Sequence, residues 1–409
     1  MRTRRLCLAA LVAGASVAAG CGGTGAGSTT ETAGNQLAVY SSLPLQGPSA
    51  EISNQIVNGE KLALSQAGGH IGPFRVSYVS LDDANPATGK WSPDATATDA
   101  KTAAQDTSTI AYLGDYNSAA TALSLPLINA AGILQVSPSS PYVGLTSSLD
   151  AGQDEPGRFY PSGRRTFGRL QPGDPGQAIA QVRLMRSLGV HKVYVLDDQD
   201  PFQIPLAQLV VAEAQRSGIT VAGHDSVATP PGASYAGEVE KVVESGAQAV
   251  FVAGASGPGA AALWTQLHGA NPRLLLLGPS TMVSESFTSA IGSAGSSTYL
   301  TTPVLGPRLY PPSAQRVLAQ YRRAFASEAE PYALYGYEAM RTVLAAIRRA
   351  GSRGNDRQAV IDNFFATPHP DSVLGPYSIE ADGEPTLSSY GVDRVAGGRP
   401  VFYRSIPIR

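Results

Sequence analysis

Residues 110–146 read IAYLGDYNSAATALSLPLINAAGILQVSPSSPYVGLT, an order of strand, turn, helix, strand and loop. Ile110, Tyr112 and Leu113 form a short apolar strand that stops at Gly114-Asp115. Asn117 or Ser118 is placed to cap the next helix, because a short side-chain oxygen accepts from the free N–H groups of a first turn. The helix is predicted over residues 119–125, with Pro126 helping to end it. Gly132 breaks the chain before a second strand at 133–136, and Ser137-Pro138-Ser139-Ser140 opens a loop. Two successive strands therefore end in polar turns, Asn117-Ser118 and Ser139-Ser140. In a parallel sheet those turns lie side by side at the carboxyl edge, where open α/β sheets bind ligands. Helix N-termini there offer unpaired donors and partial positive charge, which suit a carboxylate; ordinary caps beside a Ser/Pro loop would read the same way.

The same alternation extends in both directions. Upstream lie a strand at 37–40, an amphipathic helix from Ile52 to Leu64, a strand at 74–81 closed by Asp82-Asp83, and a helix at 94–104. The pattern lapses between Pro141 and Pro172 and resumes at Asp174-Pro175-Gly176-Gln177, where Asp is predicted as helix cap. Strands follow at 192–196, 219–222, 249–253 and 274–277, with helices at 206–217, 235–245 and 260–267. Beyond a Pro-rich stretch come helices at 313–326, 332–350 and 355–366. Last are strands at 377–379 and 390–395, and Gly397-Gly398 as a hairpin turn into 401–404. Such alternation predicts α/β architecture with mostly parallel sheets, and 409 residues suffice for two such units.

Hydrophobic residues at 43% and charged residues at 15% fit a globular chain. The first residues carry Arg2, Arg4 and Arg5, then an apolar run from Leu6 to Val17 too short for a good membrane span. Ala18-Ala19-Gly20-Cys21 resembles a bacterial lipoprotein signal, with Ala18 where Leu is usual; a plain secretory signal cut near Ala19 or Gly20 is the alternative. Residues 1–20 are thus expected to be removed and Cys21 lipidated. Loss of the three arginines would take the formal charge from −2 to −5, a poor balance for a nucleic-acid partner. Cys7 and Cys21 are the two cysteines, so a mature disulfide is not expected. Residues 21–36 are rich in Gly, Ser and Thr and read as a flexible tether.

Motifs for catalysis or cofactors are not legible. The five histidines (His70, His191, His224, His268, His369) are scattered, without metal-ligand spacing. No nucleophile elbow and no zinc-protease motif occurs. Gly257-Pro258-Gly259 lacks the third glycine of a dinucleotide fingerprint and reads as a turn. Asp82-Asp83 and Asp197-Asp198 read as turn and cap residues in preference to general acids or bases. The expectation is a protein that is not an enzyme, with no cofactor and no metal.

LAVYSSLPLQGPS at 37–49, the Asp pair after the second strand, and IAYLGDYNSAAT…LPLINAAGILQVSPS…GLT together resemble the type I periplasmic solute-binding proteins of branched-chain amino-acid ABC transporters. The resemblance implies two doubly wound, Rossmann-like lobes joined by three crossings, with residues 37–159 and 303–376 as lobe 1 and 160–302 and 377–409 as lobe 2. It implies a small polar ligand, an amino acid or related compound, captured by hinge closure and presented to ABC permease subunits in the membrane. It further implies a monomer held by lipid through Cys21 on the outer face of the cytoplasmic membrane or in the periplasm. A ligand sensor of the same fold is the alternative.

Carried over by position, Ser118 with neighbouring Asn117 would hold a ligand carboxylate, and Ser139 and Ser140 fall at a backbone contact. Phe202 reaches in from the second lobe and Tyr332 forms an aromatic wall. Two positions depart from the pattern. Pro141 stands where a Thr donor is common, and Ser280 where the amino-acid binders place an acid against the ligand ammonium. Either Asp115 or Asp198 replaces that acid, or the ligand is not an ordinary α-amino acid.

Overall fold

The computed structural model describes residues 31, 32 and 34–409, and the alternation resolves there into two sheets with helices on both faces. The signal segment, Cys21 and most of the tether lie outside the described residues. The first sheet takes β1 (Gln36–Leu43), β2 (His70–Ile71), β3 (Phe74–Asp82), β4 (Thr109–Gly114), β5 (Leu134–Ser137) and β6 (Phe167–Arg169), in the order β2-β3-β1-β4-β5-β6. All pairings are parallel except β2 with β3. The second takes β7 (Lys192–Asp197), β8 (Thr220–Ser226), β9 (Ala249–Ala253), β10 (Leu275–Gly278), β11 (Thr298–Thr302), β12 (Ser389–Ala396) and β13 (Arg399–Pro407), in the order β13-β12-β11-β10-β9-β7-β8. Its last two strands are antiparallel.

Eleven α-helices surround these sheets among the described residues: α1 (Ala50–Gln66), α2 (Pro93–Gln105), α3 (Ser118–Ala130), α4 (Asp174–Ser187), α5 (Ile204–Arg216), α6 (Ala236–Glu244), α7 (Pro258–Ala270), α8 (Glu285–Ala290), α9 (Pro312–Phe325), α10 (Tyr332–Ala350) and α11 (Arg357–Ala366). Although α9, α10 and α11 come after the second sheet has begun, they bury Val317, Leu334, Met340 and Phe364 in one core with Leu113, Leu134 and Val136 of the first. The chain therefore passes between the bodies three times: between β6 and α4, between β11 and α9, and between α11 and β12. β1 lies between β3 and β4, so strand order reverses beside it. That reversal opens a crevice at the carboxyl ends, just where the turn from β4 into α3 emerges.

Close helix contact locks the first body. An added Cβ at Gly59 of α1 would stand 2.1 Å from the Ala333 carbonyl oxygen, and one at Gly336 of α10 would stand 2.0 Å from that of Ile56. Each glycine lets the other helix's backbone approach, and any larger residue would force the pair apart. Glu60, one residue on, is fully buried and accepts the Tyr78 hydroxyl at 2.6 Å; burial pushes its carboxyl up to about 8.

Several local expectations change. Pro126 lies inside α3, which continues to Ala130. The helix gives up the N–H that proline lacks, but burial of Ile128 and Asn129 holds the following turn in place. β6 joins the first sheet through β5, so that sheet extends past residue 159, the boundary expected from the resemblance. β11, unmarked in the sequence because Thr-Tyr-Leu-Thr-Thr runs straight into Pro303, is a fully buried central strand. Residues 377–379 make isolated bridges, His369 with Tyr377 and Ile379 with Pro385, instead of a strand. Asp174 is the first residue of α4, not its cap, and its carboxylate accepts from the Val143 N–H at 3.0 Å.

Candidate ligand-binding cleft

The turn after β4 begins at Gly114, whose φ of +145° favours glycine and whose added Cβ would lie 2.7 Å from the Ser42 carbonyl oxygen. Asp115 follows, wholly buried. Its oxygens accept the Tyr112 hydroxyl at 2.9 Å, the Ser124 hydroxyl, and the Gln135 amide at 3.4 Å. Burial pushes this carboxyl up to about 7, against those hydrogen bonds. The side chain braces the turn from beneath and has no face left for a ligand.

Asn117 occupies the cap position of α3 in extended conformation, yet its side chain makes no capping bond and its buried Oδ1 has no donor among the described residues. Ser118 Oγ accepts the Tyr142 N–H at 3.3 Å, leaving its own proton available. Among the described residues no acceptor meets the N–H groups of Ser118, Ala119 and Ala120. A helix start with three free donors carries partial positive charge.

The serines after β5 tie the two turns together. Ser137 Oγ donates to the Asp115 carbonyl oxygen at 2.8 Å and accepts the N–H groups of Ser139 and Ser140. Ser139 Oγ donates to the Tyr116 carbonyl oxygen at 2.9 Å. Ser140 is fully buried, its hydroxyl 3.0 Å from the Asp115 carbonyl oxygen and 2.7 Å from Thr121 Oγ1. The Ser140 hydroxyl is thus engaged within the lobe, while Ser118 and Asn117 keep open capacity.

Aromatic side chains line the approach. Tyr142 meets Phe202 of the second body edge-on, ring centroids 4.9 Å apart. Tyr116 and Tyr332 are half-buried against one apolar cluster of Leu43, Ile56 and Val57. Burial pushes the Tyr116 phenol up to about 12 and that of Tyr332 well above its usual value. On the second body, Ser280 opens the turn after β10 and lies 3.5 Å from Gln177 Oε1 of α4. Asp198, after β7, accepts the N–H groups of Asp200 at 3.1 Å and Ala255 at 2.9 Å, so it holds two loops together.

A buried ionic cluster sits where the chain crosses. Arg169, the last residue of β6, pairs with Glu384 from the third crossing and donates to the carbonyl oxygens of Ser140 and Tyr142, both at 2.8 Å. Burial raises the Glu384 carboxyl, but Arg169 outweighs it and holds it below its ordinary value. Asp174 nearby is pushed up to about 7 by burial, with Arg169 working against that shift. Sequence motifs miss Tyr116, Tyr142, Arg169 and Glu384. Tyr116 is findable, since it adjoins Asn117-Ser118; Arg169 and Glu384 are separated by 214 intervening residues and have no shared motif.

No helix among the described residues is long and apolar enough to cross a membrane, and no cluster of metal-ligating side chains occurs among them. A model of the periplasmic binding protein family matches residues 41–399. The Leu/Ile/Val-binding protein homolog 1 of Brucella suis is 26% identical over 359 residues, covering 85% of this chain and 87% of that protein. A leucine-binding protein of Thermotoga maritima superposes with a TM-score of 0.74 at 19% identity, covering 91% of this chain and 99% of that one. A solute-binding protein of an R. palustris ABC transporter, solved with benzoate, gives 0.70 at 17% identity, covering 91% and 97%.

Proposed function

The chain belongs to the periplasmic binding protein family, and from that membership we propose that it is the extracytoplasmic solute-binding component of an ABC importer. Its ligand docks on the first body at the start of α3, through the free N–H groups and the Ser118 hydroxyl, and the second body closes over it with Phe202. The observation that carries this reading is the unused donor set at a topological switch point, beside Tyr142, which packs edge-on against Phe202 of the other body. The first and third of the three crossings are tied together by Arg169 and Glu384, which gives the motion a defined axis. The closed form is what permease subunits would recognise. Export and anchoring rest on the leading segment, with Cys21 as the lipidated residue.

Thermal shift of protein unfolded, stripped of co-purifying ligand and refolded tests the reading. A small-molecule acid or amino acid should raise the melting temperature in proportion to the logarithm of its concentration. A panel of amino acids, amides, aromatic acids and short peptides that leaves the melting curve unmoved would sink it. For the anchor, Cys21→Ser should release the protein from the membrane fraction; retention would argue against lipidation.

A further inference from the structure

Three carboxyls and one guanidinium bordering the cleft floor are already committed within the protein, and Asp83, whose Oδ1 has no donor among the described residues, is wholly buried. Asp115 is filled by Tyr112, Ser124 and Gln135, Asp198 by two backbone N–H groups, and Asp174 by Val143. Arg169 spends its guanidinium on two carbonyl oxygens, Thr146 and Glu384. At the position where the resemblance puts an acid against the ligand ammonium, Ser280 has a neutral hydroxyl near Gln177. What stays open is a donor set (the first N–H groups of α3 and the Ser118 proton) beside the Asn117 carboxamide oxygen, which lacks a donor.

A zwitterion brought here would find partners for its carboxylate and none for its ammonium. Burying that cation unpaired costs more than the carboxylate contacts return. Resting on the solute-binding reading above, we infer that this cleft selects small monocarboxylic acids without an ammonium group. The acid lies on the start of α3, an aromatic or branched body packs between Tyr116, Tyr332 and Phe202, and a neutral hydroxyl or N–H of the ligand donates to Asn117. Asn117 and Ser280 are then the specificity-determining residues.

Asp393 of β12 is the group through which this could fail. It has no hydrogen-bond or ionic partner among the described residues, and its charge is felt at the Tyr332 phenol. Burial pushes it up to about 6, toward the neutral form.

Calorimetric titration of ligand-stripped protein with matched pairs decides the matter: leucine against isocaproate, and phenylalanine against phenyllactate. The acids should bind at least about tenfold more tightly than their amino counterparts. Ser280→Glu should reverse the order, restoring a counter-charge for the amino acids and repelling the acids. Tighter binding of leucine or phenylalanine, abolished by Asp393→Asn, would make Asp393 the counter-charge; that overturns the inference and leaves the solute-binding reading standing. If neither series binds and mass spectrometry finds no small molecule released when the purified protein is denatured, both fall together.

Discussion

The acidic pair that ends β3 and the pair that follows into the loop after β7 look interchangeable in sequence, each an Asp-Asp at the carboxyl end of a parallel strand. Their surroundings are opposite. Asp82 accepts the N–H groups of Leu45 and Ala84 and the Gln46 amide, while Asp83 is wholly buried with one oxygen lacking a donor among the described residues. Burial, with the nearby charges of Asp115 and Asp99, pushes Asp83 up to about 8. On the second sheet, Asp197 accepts Ser226 Oγ at 2.9 Å and the Gln199 N–H at 3.0 Å, and both oxygens of Asp198 meet backbone donors. On the first floor burial pushes Asp83 toward the neutral form while Asp82 is met by donors; on the second both carboxyls meet donors, which work against the rise that burial gives Asp198. A strand-end acid is therefore a placement, and its charge state is set by what packs around it.

The strongest way to break this comparison lies where the two bodies meet. Arg169→Met leaves the half-buried Glu384 without its cation and should destabilise folding by about 3 kcal/mol, with Arg169→Met/Glu384→Gln recovering most of the loss in urea denaturation. Full stability of the single variant would show that the crossings do not depend on the pair.

The first floor should next reveal itself through pH. Asp83 and Glu60 near 8 and Asp115 near 7 are all raised above their unfolded values. Each contributes stability that is complete below about pH 4 and is lost as pH rises through the folded value, at roughly 1.4 kcal/mol for each tenfold difference in proton affinity between the folded and unfolded chain. The melting temperature should fall by several degrees between about pH 5 and pH 8.5, and Asp83→Asn should flatten that fall. Burial raises Asp198 as well, against the N–H groups of Ala255 and Asp200, so Asp198→Asn should flatten the slope less than Asp83→Asn does. Equal slopes for Asp83→Asn and the unaltered protein would dissolve the contrast between floors.

Within the first floor, Ser118 and Ser140 separate binding from scaffolding. Ser118→Ala should weaken binding of a carboxylate about tenfold, read by calorimetry, at little cost to melting temperature. Ser140→Ala should cost about 1 kcal/mol of stability, because Thr121 and the Asp115 carbonyl lose a buried partner. Reversed effects would move the ligand from α3 to the loop after β5. The smallest effect belongs to Asp198→Asn, about 1 kcal/mol or less in stability with no change in ligand preference, since the amide keeps one acceptor for the two loop N–H groups.

Periodicity made the architecture legible: α10 begins and ends where Tyr332 and Gly351 place it, and the run from Ile110 to Ser140 yields its two strands and the helix between them. What it announced were local matters, alternation of strand and helix, turn chemistry, and hydroxyls at strand ends, because these depend on residues a few positions apart. Tertiary structure alone decided that Pro126 sits inside a helix, that β11 completes the second sheet, that Asp174 reaches across to Val143, and that Asp115 faces inward. It likewise joined Arg169 to Glu384 and left Asn117 Oδ1 without a donor. The reason is physical: burial, pairing and the cost of an unmet polar group arise between segments far apart in the chain, and no short window of residues contains both partners.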